Sequence, residues 1–194
     1  MTGTGLHRDH RAIVAVAGLG FVGLTLIIAI LPALRVLDTA PLPGSALRTA
    51  EEEEGRRLYL KEGCGFCHTQ FLRDLPVDRP YGRASLASDY AREAPTLLGS
   101  ERTGPDLANV GARQSSEVWH LIHLYDPRAV VPGSVMPSYW WYFDVRDRAT
   151  AKEVVVAVPA TSAPAGKVVV ARREALALVR YLLSLRQLET RTGR

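Results

Sequence analysis

The sequence predicts a mainly α protein, with one membrane-spanning helix followed by a single small domain. Three observations carry this prediction. No charged residue occurs over the 23 positions from Ala12 to Leu34. Thr49-Ala50-Glu51-Glu52 reads as a capping box that opens a second helix. Leu176, Val179, Tyr181, Leu182, Leu183 and Leu185 recur at helical spacing over residues 173–188 and predict a closing helix. The 194 residues amount to about one domain beyond such a segment. With 47% hydrophobic and 23% charged residues, the chain is neither disordered nor fibrous.

In chain order, the expected divisions are a transmembrane helix at 12–34, a linker at 35–49 and the domain at 50–189. A 23-residue helix spans about 34 Å, enough for a hydrocarbon core of about 30 Å. The apolar region of a signal peptide is shorter, about 7–15 residues. Pro32 is expected to kink or end the helix near one interface. Gly18-Leu19-Gly20-Phe21-Val22-Gly23 fits a dinucleotide-binding string, but it lies inside the uncharged segment. There, glycines suit close packing against another membrane helix. Arg8 and Arg11 before the segment balance Arg35 and Arg48 after it, while His7 and His10 tip the balance slightly toward an inside N-terminus.

The net charge of +4 is dispersed and interleaved with acids, which gives no nucleic-acid footprint. Pro41, Pro43 and Gly44 mark an extended linker. The helix that starts at Thr49 carries Glu51 to Glu54 in its first turn and ends at Gly63. Directly after it comes Cys64-Gly65-Phe66-Cys67-His68, which holds both cysteines of the chain. That count excludes a disulfide scaffold and a four-cysteine zinc site. Cys-x-x-Cys-His is the pattern of c-type haem attachment: two thiols for the two vinyl groups and an adjacent imidazole for the iron. A thioredoxin-like pair needs a βαβ context that this segment lacks.

A haem iron held by His68 wants a sixth ligand. Met136, the only Met besides Met1, lies in a loop between Pro132 and Pro137, and a thioether ligand would raise the potential. His120 and His123, three apart on one helix, are the rivals. Gly104-Pro105-Asp106-Leu107 is a turn that would offer the Pro105 carbonyl to the other nitrogen of His68. Gly55 and Tyr59 are expected to pack on Tyr181. Val154–Val158 and Val168–Ala171 flank a long loop and predict a β-hairpin near 154–171.

Together these motifs resemble a class I type cytochrome c. More narrowly, the chain resembles the membrane-anchored mono-haem subunit II of cbb3-type cytochrome c oxidase, the CcoO/FixO family. The residues that carry the resemblance lie within about 12–143. They include Gly55-Arg56-Arg57-Leu58-Tyr59, Cys67-His68-Thr69-Gln70, Arg102-Thr103-Gly104-Pro105-Asp106-Leu107, Trp119-His120, His123-Leu124 and Met136-Pro137. Pro80, between Arg79 and Tyr81, departs from the family pattern, and residues 144–170 fit it less well.

The resemblance implies one covalent haem c with His68 and Met136 as axial ligands. It also implies a non-catalytic redox subunit in the bacterial inner membrane, its haem domain in the periplasm. The implied partners are a haem-copper catalytic subunit, a di-haem cytochrome c subunit or soluble cytochrome c donor, and membrane lipid, with no nucleic acid. Arg79, Arg102, Arg113 and Arg128 match recurrent positions and become candidates for propionate or supporting contacts. Two other functions fit the motifs: an anchored cytochrome c subunit of a nitric oxide reductase, and a haem-based sensor or ligand-binding protein.

Overall fold

The computed structural model describes residues 9–188. Arg8 and His7, used above for orientation, and Glu189 at the end of the expected domain lie outside the described residues. By internal contacts the chain divides into two units, Met1–Pro41 with Ala87–Ala91 and Leu42–Leu86 with Arg92–Arg194.

In the first unit, helix α1 (His10–Leu24) runs through a π-helical stretch, Thr25–Ile30, into α2 (Leu31–Leu37). Asp9 caps its start, its Oδ1 accepting from the Arg11 and Ala12 amides at 3.0 and 3.2 Å. His10–Arg35 is long and apolar enough to cross a membrane, and its most apolar stretch buries nothing inside the protein. Pro32 does not end this helix. Just before it the ladder widens, and the Leu31 amide reaches back to the Leu26 carbonyl. A wider turn of this kind absorbs a residue that has no amide to donate.

In the second unit, α3 (Ala50–Lys61) carries both bonds of the capping box: Glu52 N to Thr49 Oγ1 at 3.2 Å and Thr49 N to Glu52 Oε2 at 2.7 Å. Gly63 ends it at φ 69°, a left-handed conformation that glycine adopts freely. Two short helices follow later, α4 (Val110–Arg113) and α5 (Glu117–Tyr125), the latter capped by Ser116.

The hairpin exists as β2 (Val154–Val156) against β3 (Val168–Ala171), with Val156 opposite Val169. A third strand, β1 (Phe143–Arg146), pairs with the other edge of β3. The architecture is therefore mixed: helices with a three-stranded antiparallel sheet in the order β1-β3-β2. The alternation of Phe143-Asp144-Val145-Arg146 was the missed signal, too short to stand out without its partner strand.

Helix α6 (Arg173–Ser184) closes the domain against α3. It stops short of 188 because Leu185 leaves the helical region, buries its side chain and gives its carbonyl to the Gly111 amide at 2.9 Å. A Cβ on Gly55 would stand 1.9 Å from the Ala177 carbonyl oxygen, so only glycine permits this approach. Tyr59 and Tyr181 meet edge to face at 5.4 Å, and the Gln70 amide donates to the Tyr181 hydroxyl at 3.0 Å. Leu178, outside the expected apolar set, is among the most buried residues of α6.

Candidate functional site

The motif Cys64–His68 follows directly from the left-handed Gly63. Residues Cys64–Phe66 form one turn of 3-10 helix, closed by the Cys67 and His68 amides donating to the Cys64 carbonyl. The two cysteines form no disulfide; Cys64 is half-buried and Cys67 exposed. Burial pushes the Cys64 thiol up to about 11, partly offset by its hydrogen bond with Tyr139.

His68 lies in a ladder between two segments far apart in sequence. The Gly104 amide donates to the Cys67 carbonyl at 2.9 Å, and the Leu107 amide donates to the Thr69 carbonyl at 2.8 Å. Between these rungs, His68 Nδ1 lies 2.7 Å from the Pro105 carbonyl oxygen. A carbonyl can only accept, so Nδ1 carries the proton and Nε2 keeps its lone pair. Burial lowers the pKa of His68, with the Pro105 carbonyl and Asp106 opposing. The ring rests over Gly104, where a Cβ would come within 2.2 Å of Cε1.

Asp106 is fully buried. Its Oδ2 accepts from Thr69 Oγ1 at 2.6 Å and the Phe71 amide at 2.9 Å, and its Oδ1 accepts from the Ala108 amide at 2.8 Å. Arg102 closes the network. Its Nε donates to Thr69 Oγ1 at 2.7 Å and its Nη2 to the Phe71 carbonyl at 2.7 Å. The same guanidinium pairs with Asp106 and with Asp78, a second buried carboxylate. Hydrogen bonds from Arg102 and Arg73 hold Asp78 well below the usual carboxylate range.

The structure thus brings Cys64, Cys67, His68, Pro105 and Arg102 together. Arg113 joins from outside, donating to the Asp106 backbone carbonyl and lying 4.9 Å from the Tyr81 ring centroid. Arg79 stays at the surface, 3.9 Å from Asp74, and Arg128 is exposed; neither touches the ladder. Met136 is half-buried against the same core as Cys64, its amide donating to Ser134 Oγ at 3.2 Å. Three residues later, Tyr139 is buried in the core that Cys64 packs against.

Of the rival histidines, His120 is buried with Nε2 2.8 Å from the Gln114 carbonyl oxygen. His123 stacks on Trp119 at 4.7 Å. Its pKa is pushed down to about 4 by burial first, then by His120 and His68. Asp78 stands out by no motif in the sequence, Thr69 only by the family resemblance, and Gly104 and Asp106 only by that resemblance and as turn residues. The four-residue spacing from Arg102 to Asp106 was the one available hint.

The family model for the cytochrome c oxidase mono-heme subunit, FixO, matches residues 6–172. The chain belongs to this family. The match runs past residue 143 through all three strands to the start of α6, so residues 144–170 are part of the family pattern. Membership makes the chain a subunit of a cytochrome oxidase complex, implying a haem cofactor, electron transfer and a catalytic-subunit partner. No curated protein matches the chain.

Proposed function

We propose that this mono-heme subunit relays electrons in a cbb3-type oxidase, from a cytochrome c donor to the haem-copper catalytic subunit. In this reading His10–Arg35 anchors it in the bacterial inner membrane with the Cys64–His68 domain in the periplasm, where c-type haem is attached. The observation that carries the reading is His68, directly after Cys64 and Cys67, with Nδ1 on the Pro105 carbonyl so that Nε2 is the unprotonated nitrogen.

The residues present fit a covalent haem. Cys64 and Cys67 stand one 3-10 turn apart, and the absent Cβ of Gly104 makes room for the imidazole. When bound, the haem supplies one-electron exchange at iron. Cys64 and Cys67 would hold it through their sulfurs, and His68 would offer its Nε2 to the iron. Met136, in its loop against the same core, would supply a thioether to the iron, a ligand type that raises the potential. Arg102, engaged by Thr69, Phe71, Asp78 and Asp106, acts behind His68 rather than on a propionate.

The test uses the full chain purified with its complex. The haem should resist acid-acetone extraction, and Cys67→Ser should weaken that attachment. Met136→Leu should keep the haem attached and lower the midpoint potential; an unchanged potential would assign the sixth position to another residue. Binding of CO by most of the intact reduced haem would sink the relay reading in favour of a sensor. Consumption of nitric oxide without oxygen would place the subunit in a nitric oxide reductase.

A further inference from the structure

Two buried carboxylates and one arginine beside a metal-ligand candidate are unusual. Ion pairs of this kind contribute little net stability, because desolvation offsets their attraction. Their consequence here is geometric. Residues 67–71 and 104–108 are zipped by backbone rungs on both sides of His68, and Asp106 ties the side chains and amides between them. Asp106 immediately follows Pro105, whose carbonyl meets His68 Nδ1. Any shift of Asp106 therefore moves that carbonyl.

We propose that Asp106, locked by Thr69, Phe71, Ala108 and Arg102, is a positioning residue that sets the His68 imidazole through the Pro105 carbonyl. The role rests on the reading of His68 as a haem ligand and adds to it. Asp78 holds the far side of the Arg102 guanidinium, so the Arg102 fork stays aimed at Thr69 and Asp106. The carboxylate is needed as such. It accepts on both oxygens, whereas an amide accepts on one face and donates on the other. Asp106→Asn keeps the shape but serves either Thr69 and Phe71 or Ala108.

The chemical outcome has a sign. A well-bonded Nδ1–H makes imidazole a more basic ligand, which favours the oxidised metal and lowers the potential. Loosening the Pro105 contact should therefore raise the midpoint potential, opposite to Met136→Leu.

The experiment is a spectroelectrochemical titration of the membrane complex carrying wild-type, Asp106→Asn, Thr69→Val or Asp144→Asn chains. Asp106→Asn should keep covalent haem and shift the potential upward. Thr69→Val, which removes one hydroxyl from the network, should shift it the same way by less. Asp144→Asn, in an exposed ion pair with Arg172 on the sheet, should leave it unmoved. An unchanged potential in Asp106→Asn, even with a lower melting temperature, would reduce Asp106 to a structural residue and overturn the role. If Asp106→Asn fails to accumulate, Thr69→Val decides by the same rule. A wild-type complex without covalent haem would instead refute the haem reading itself.

Discussion

The second unit holds together two pairs of segments distant in sequence, and it does so by opposite means. Where α3 meets α6, the contact is apolar and shape-driven: Gly55 lets the backbones touch, and Tyr59, Leu178 and Tyr181 fill the seam. Where residues 67–71 meet 104–108, the contact is polar and directional, with buried carboxylates, a guanidinium and backbone rungs. Apolar packing supplies stability but tolerates small slides, since it is non-directional. Hydrogen-bonded ions supply less net stability, yet their distances and angles admit one arrangement. The segment that presents His68 needs the second kind of contact.

The sharpest challenge to this contrast is Gly55→Val. A Cβ at 1.9 Å from the Ala177 carbonyl oxygen forces α3 away from α6, which should cost about 3 kcal/mol or more. Thermal unfolding of the complex should show it as a large drop in melting temperature. A near-normal melting temperature would mean the seam does not carry the fold.

Gly104→Ala should act on the other pair. Its Cβ meets the His68 ring at 2.2 Å, so the imidazole must turn off the Pro105 carbonyl. The expected result is a modest loss of stability, about 1 kcal/mol, with a changed visible spectrum of the reduced subunit. An unchanged spectrum would show that His68 does not depend on that cradle.

Acid should also separate the two contacts. The pKa of Asp78 is depressed in the folded state by Arg102 and Arg73. Its contribution is therefore complete above the ordinary carboxylate pKa of about 4 and is lost as pH falls below it toward the folded value. In denaturant titrations the wild type should weaken below about pH 4 more steeply than Asp78→Asn. Parallel curves would mean that Asp78 gains nothing from its arginines.

Asp144→Asn should have the smallest effect. Its pairing with Arg172 is exposed and lies in neither contact, so the stability change should stay within about 0.5 kcal/mol. A larger loss would make the sheet a third stabilising contact.

Much of the apolar pair was legible from the residues. The capping box at Thr49, the Gly55/Tyr59 face and Tyr181 all follow from local spacing, and local spacing is what a helix preserves. Leu178 escaped because the stripe on α6 is wider than the one chosen. The third strand escaped because four alternating residues gain meaning only when a partner supplies hydrogen bonds. Pro32 was read by its usual effect, and the widened turn before it depends on backbone detail that composition does not carry.

The polar pair divides differently. Cys64, Cys67 and His68 are contiguous, so their chemistry could be read from the order of residues alone. So could the long uncharged helix, whose length and composition suffice. Gly104-Pro105-Asp106-Leu107 could be read as a turn, because glycine and proline restrict the backbone locally. The partners of Asp106 could not be read that way. Thr69, Phe71 and Asp78 reach one buried site from positions about 28 to 37 residues apart from Asp106. Local chemistry proposes the ligand, and long-range packing chooses the groups that hold it, because a buried charge is tolerated only where the fold assembles its partners.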